Sequence, residues 1–271
     1  MVEGNQEQAT SVAVASRAVL TTADPRAKVM AARRVARDWR AGRIAHRFDV
    51  AMPDTPARPD TPALLPPARM PRRSSGGGLR GRIALMHALA HIEFSAIDLA
   101  FDIIGRFGAG LPHAFVDDWM TVGAEEAMHF ALVDRRLRQM GSHYGALPAH
   151  EGLWDAAHDT RHDLAARLAI VPLVLEARGL DVTPPMIARL QQVGDEPSAR
   201  ILKRIADDEI RHVGAGVKWF EILANGQNLD AALIFQGLVR QHFRGAIKPP
   251  FNDSARRQAG LTQEYYTALA R

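Results

Sequence analysis

The chain contains no cysteine, which excludes disulfides, zinc–thiolate sites, iron–sulfur clusters and thiol nucleophiles. Any metal ion it holds must be bound by histidine, aspartate and glutamate. Aromatic residues make up only 6% of its 271 residues, and few stretches show the period-two alternation of a half-buried strand. No run of about eighteen uncharged apolar residues occurs, and no basic-then-apolar leader pattern opens the chain. A cytoplasmic protein that enters no membrane is expected.

Charge of one sign is also scarce, with 34 Lys and Arg against 30 Asp and Glu, a formal charge of +4. Arg33, Arg34, Arg37, Arg40 and Arg43 follow one side of an amphipathic segment. A solvated helix face accounts for them, whereas a nucleic-acid footprint would need a contiguous basic stripe in the fold.

What is abundant is alanine, leucine and helical spacing, in a chain long enough for one sizeable core. Residues 1–79 read as an extension, with a polar tail, a helix near Pro25 to Ala41, and a strap whose prolines run from Pro53 to Pro71. Proline lacks the amide donor and restricts its predecessor, so the strap is not helical. Residues 80–226 form four long helical segments: Gly81 to Phe107, Phe115 to Met140, Gly152 to Arg178 closed by Gly179, and Glu196 to Ala224. Residues 227–271 add a helix, a loop at Lys248 to Asn252 and a last short helix. The expected fold is all-α, a ferritin-like four-helix bundle with extensions at both ends.

Each long segment has an apolar face interrupted by a carboxylate. Glu93 follows Met86 and Ala90 and precedes Ile97 and Ile104; Glu126 and His129 continue Trp119 and Val122; Glu176 follows Leu173; Glu209 and His212 follow Leu202 and Ile205. Spacings of three and four place these residues toward the core. Several ionised carboxylates converging in a core would each cost several kcal/mol, on the order of the burial penalty of a lone ion, unless cations neutralise them.

The second and fourth segments carry Glu126-Ala-Met-His129 and Glu209-Ile-Arg-His212, while the first and third contribute one glutamate each. Glutamate and histidine three apart share a helix face. A lone Glu from each of two helices and Glu-x-x-His from each of the others is the ligand set of carboxylate-bridged two-metal bundles. Glu93 and Glu126 are 33 residues apart, and so are Glu176 and Glu209, as two helical hairpins related by an approximate two-fold axis would require. Asp208 and Glu125, each preceding a motif glutamate, are candidates to accept the second ring N–H of a ligand histidine. His91, two residues from Glu93, is expected to have a structural or supporting role, and Arg211 to face outward or pair with an acid such as Asp207. Hard oxygen donors with two imidazoles fit two iron ions, or manganese or a mixed pair, better than zinc, copper or magnesium.

The chain resembles a family of bacterial ferritin-like proteins known as domain of unknown function 455. The likeness rests on His91-Ile-Glu93-Phe-Ser-Ala-Ile-Asp98, Glu125-Glu-Ala-Met-His129-Phe, Tyr144-Gly-Ala-Leu-Pro-Ala-His150, Leu175-Glu-Ala-Arg-Gly-Leu-Asp181, Asp208-Glu-Ile-Arg-His212 and Lys248-Pro-Pro-Phe-Asn252. It implies a ferritin-like fold and a metal centre. More distantly the layout is similar to tRNA-modifying di-iron monooxygenases. The expected activity is an oxidoreductase that activates dioxygen or peroxide to oxidise a small-molecule or macromolecular substrate, served by an electron donor and acting as a monomer or small homo-oligomer. The alternative is an iron-handling ferroxidase.

Overall fold

The computed structural model describes residues 10–71, 77–226 and 230–270. The polar tail before Thr10 and the Ser74-Ser75-Gly76 end of the strap lie outside them. The described residues are all-helical, with isolated bridges and no β-strand. In order come α1 (Val12–Leu20), α2 (Pro25–Arg40), α3 (Leu79–Phe107), α4 (His113–Gln139), α5 (Gly152–Asp159), α6 (Leu164–Ile170), a π-helical turn (Val171–Glu176), α7 (Ala177–Gln192), α8 (Glu196–Asn225), α9 (Ala231–His242), α10 (Asp253–Gln258) and α11 (Gln263–Tyr266). The helix starts are written in the sequence: Asp24, Asp195 and Asp230 each accept the backbone N–H three residues on, at 2.7, 3.2 and 3.0 Å, satisfying donors that have no partner within the helix.

The chain divides into two compact units, Met1–Pro59 with Ala96–Met128, and Asp60–Ser95 with His129–Arg271. Both divisions fall inside the continuous helices α3 and α4. In the first unit α1 and α2 pack together, and the Trp39 indole donates to Asp117 at 2.7 Å. Lys28, fully buried, donates to Asp98, which Arg58 also reaches. Arg106 donates to Asp102 at 2.9 Å and to the Pro53 carbonyl at 2.9 Å, tying the strap to α3. By length and composition α3 could cross a membrane, but 67% of its most apolar stretch is buried within the protein.

In the second unit, buried Asp195 gathers Arg82 and Arg136, each at 2.8 Å. The third long segment departs from its expected course. It is broken at Thr160 to Asp163 and again by the π turn, and Gly179 does not close it: α7 runs on through Pro184 and Pro185 to Gln192. Glycine is merely unfavourable inside a helix, whereas proline removes a donor. Pro184 leaves the Leu180 carbonyl without its usual partner, and the Asn252 side chain donates to that carbonyl at 3.1 Å. Asp181 accepts the Asn252 amide at 2.9 Å and the Arg256 guanidinium at 2.8 and 2.7 Å. The Lys248 to Asn252 loop thus seals a helix that its prolines would otherwise break.

Candidate metal centre

The apolar faces that carry the carboxylates are buried as their spacing predicts: Met86, Ala90, Ile97 and Ile104 on α3, Trp119, Val122 and Val133 on α4, Leu202 and Val213 on α8. Glu93 is 3% exposed, Glu126 1%, and His129 and His212 are fully buried. Glu126 and His129 lie one turn apart on α4, as Glu209 and His212 do on α8. One ligand atom each from Glu93, Glu126, His129 and Glu209 lies within 4.8 Å of all the others.

His129 Nδ1 is 3.3 Å from Glu93 Oε2, and His129 Nε2 is 3.1 Å from Asp208 Oδ2. Asp208, held ionised, can only accept and takes the Nε2 proton, while Nδ1 faces the Glu93 carboxylate, an approach that a cation between them would turn into attraction. Asp208 is held ionised. Burial pushes its carboxyl up, but hydrogen bonds from His129, Arg204 and Arg211 outweigh burial and leave it below the usual carboxylate range. Arg204 and Arg211 each approach it at 2.6 Å. Arg211 therefore pairs with Asp208; Asp207, the acid expected for it, takes Lys203 at 2.9 Å instead. The i and i+4, i and i+3 spacing of Arg204, Asp208 and Arg211 on one helix was the available signal for this arrangement.

His212 stands with its ring centroid 5.6 Å from that of His129 and its Nδ1 3.5 Å from Glu209 Oε2. That Glu209 oxygen is buried and accepts no hydrogen bond among the described residues, as an oxygen reserved for a cation would be. Glu176 is half-buried at the end of the π turn and is not among the four converging residues. The π turn packs on α8, where a Cβ added to Gly216 would come within 2.6 Å of Pro172. Pro172 supplies a local reason for the irregular turn, since it removes an amide donor and its ring crowds the carbonyl of the preceding turn.

Glu125 is half-buried beside Glu126. His91 stands on the opposite side of α3 from Glu93, its Nδ1 2.9 Å from the Tyr144 hydroxyl and its Nε2 3.1 Å from the His150 carbonyl. Its observed role is structural. Tyr144, named in the sequence only as part of the family likeness, links His91 to Phe94 and Phe130 through ring contacts with centroids 5.4 and 5.2 Å away.

The donor set of carboxylate oxygens and imidazole nitrogen, buried and without sulfur, suits divalent iron or manganese. A family model described as a protein of unknown function, DUF455, matches residues 21–267. The chain belongs to this family. It is 42% identical over 213 residues to an uncharacterized protein of Haemophilus influenzae, covering 76% of this chain and 74% of that one. No solved structure matches the chain.

Proposed function

We infer that this DUF455 protein is a ferritin-like di-metal carboxylate protein, with α3, α4, the α6 to α7 segment and α8 as its four-helix bundle and two iron ions as its cofactor. The observation that carries the reading is the convergence of buried Glu93, Glu126 and His129 with half-buried Glu209 within 4.8 Å, which only positive charge makes tolerable. Glu93, Glu126, His129, Glu176, Glu209 and His212 are the ligands assigned to the pair. The two metals, once bound, supply electrons and Lewis acidity for an oxidoreductase acting with dioxygen or peroxide on an organic substrate, re-reduced by an external electron donor.

The chain's own contribution is orientation and charge. Asp208 fixes the His129 tautomer, and Arg204 and Arg211 keep Asp208 ionised. The apolar packing around the cluster excludes water and so strengthens each electrostatic contact within it. The π turn gives Glu176 a backbone setting unlike that of the other three glutamates.

Anaerobic loading with ferrous iron, followed by metal analysis and Mössbauer spectroscopy, tests the reading. About two irons per chain, spin-coupled after oxidation and lost in Glu126→Ala, are expected. A wild-type chain that retains at most one ion would overturn it. Oxidation of ferrous iron that consumes dioxygen without any organic product, together with assembly into a shell, would favour iron handling instead.

A further inference from the structure

The side of α3 facing away from Glu93 lines a second concavity. At 100° per residue, Ala84, His87, Ala88 and His91 form one stripe, and Glu93 lies half a turn round from Ala84. Ala84, Ala88 and Ile92 from the helix, with Leu147 from the loop between α4 and α5 and Leu153 from the start of α5, line a cavity of about 290 Å³. The strap and the loop hold its shape: Leu65 donates to the Ala149 carbonyl at 2.8 Å, and Ala149 to the Ala63 carbonyl at 3.0 Å.

Histidines line this cavity too, but their nitrogens are largely taken up by protein. The His150 carbonyl only accepts, so His91 carries its proton on Nε2 and receives the Tyr144 hydroxyl on Nδ1. His87 Nε2 accepts the Gly145 and Leu147 amides at 3.0 and 3.3 Å, which puts its proton on Nδ1. Burial, helped by the nearby His143, pushes His87 down to about 4, so the ring is uncharged near neutral pH. The Nδ1 of His150, the third ring, accepts the Gly152 amide at 3.2 Å, so each of the three rings already has a lone pair engaged by the protein. Among the described lining residues Arg80 is the one lysine or arginine, exposed and without a hydrogen bond or ion pair to another described residue.

We propose that this cavity is a binding site for a small monocarboxylic acid, its apolar body lying between α3 and the segment from Leu147 to the start of α5, and its carboxylate on Arg80. Apolar walls with one guanidinium among the described lining residues favour one anionic head on a hydrocarbon body, and a guanidinium matches a carboxylate through two parallel N–H donors. A phosphate dianion would call for a second arginine or lysine, and the described lining holds Arg80 alone. The site is separate from the glutamate cluster, and the proposal does not depend on the metal centre.

Calorimetric titration of the full chain with octanoate and with octylammonium tests it. We expect one octanoate per chain, with octylammonium about tenfold weaker or worse because its head repels Arg80. Arg80→Gln, an exposed change that leaves the fold intact, should weaken octanoate about tenfold and abolish the preference between heads. Ala88→Trp should fill the cavity and remove binding, with circular dichroism checking that the variant is folded. Absence of octanoate binding at millimolar concentration, equal binding of the two probes, or an Arg80→Gln protein that binds octanoate as the wild type does would each overturn the proposal.

Discussion

Asp208 accepts the Nε2 proton of His129 at 3.1 Å while two arginines hold it from the other side at 2.6 Å. The pair connects a surface charge cluster on α8 to a buried imidazole on α4. Residues that orient a ligand histidine set its affinity for metal about as strongly as a weak ligand does. Asp208→Ala should lower ferrous or manganous affinity by about 10 to 100-fold, measured against a competing chelator. Asp208→Asn, whose amide oxygen can still accept, should lose less. Unchanged affinity in the alanine variant would detach Asp208 from the centre.

Metal binding should be visible as stability. A ligand that binds only the folded chain adds about 2.7 kcal/mol at a hundred times its dissociation constant. Wild-type protein stripped of metal should therefore melt earlier than after loading with iron or manganese, and Glu126→Ala should show little difference between the two states. A Glu126→Ala protein stabilised by metal as fully as the wild type would place the ions elsewhere.

His87 gives stability a pH dependence on the acid side. Its folded value is pushed down to about 4, whereas the unfolded ring titrates near its ordinary value of about 6.5. Between those values the unfolded chain binds more protons than the folded one, so stability rises with pH across that window. Its contribution is complete above about pH 6.5 and declines as pH falls toward 4, by no more than about 1.4 kcal/mol per pH unit. Urea unfolding of wild type and His87→Gln at a series of pH values measures it. Parallel curves for the two proteins would show that His87 does not titrate in this way.

Asn252 serves two helices at once, donating to the Leu180 carbonyl and accepting the Ala255 amide at the start of α10, at 3.3 Å. Asn252→Ala should cost about 1–3 kcal/mol, the range for a buried group left without its partner plus a lost cap. Replacing Pro184 with alanine restores a donor to α7 and should reduce that loss. Denaturant melts of the single and double variants would show the coupling, and strictly additive effects would refute it.

Much of the candidate centre was legible because helical period is a local property. Glu93, Glu126, His129, Glu209 and His212 interrupt apolar stripes at spacings of three and four, and a side chain on such a stripe is committed inward by its neighbours. The end of α7 was not legible, because Gly179 looks locally like a stop and Pro184-Pro185 like a break. What overrules both lies more than sixty residues later, where Asn252 of the loop and Arg256 of α10 reach Leu180 and Asp181. Lys28 and Asp98 show the same limit. Each reads alone as an ordinary charge, and their burial against one another depends on a contact 70 positions apart.

The amino-acid order by itself determined the helical class, the exclusion of sulfur ligands and the inward direction of the acidic and imidazole side chains, since each follows from composition or from the geometry of one helix. The tertiary structure decided which of those side chains meet, that His129 turns Nδ1 toward Glu93 and Nε2 toward Asp208, and that Glu176 sits on a π turn. Those outcomes depend on how separate helices approach one another, and no period within a single segment carries that distance.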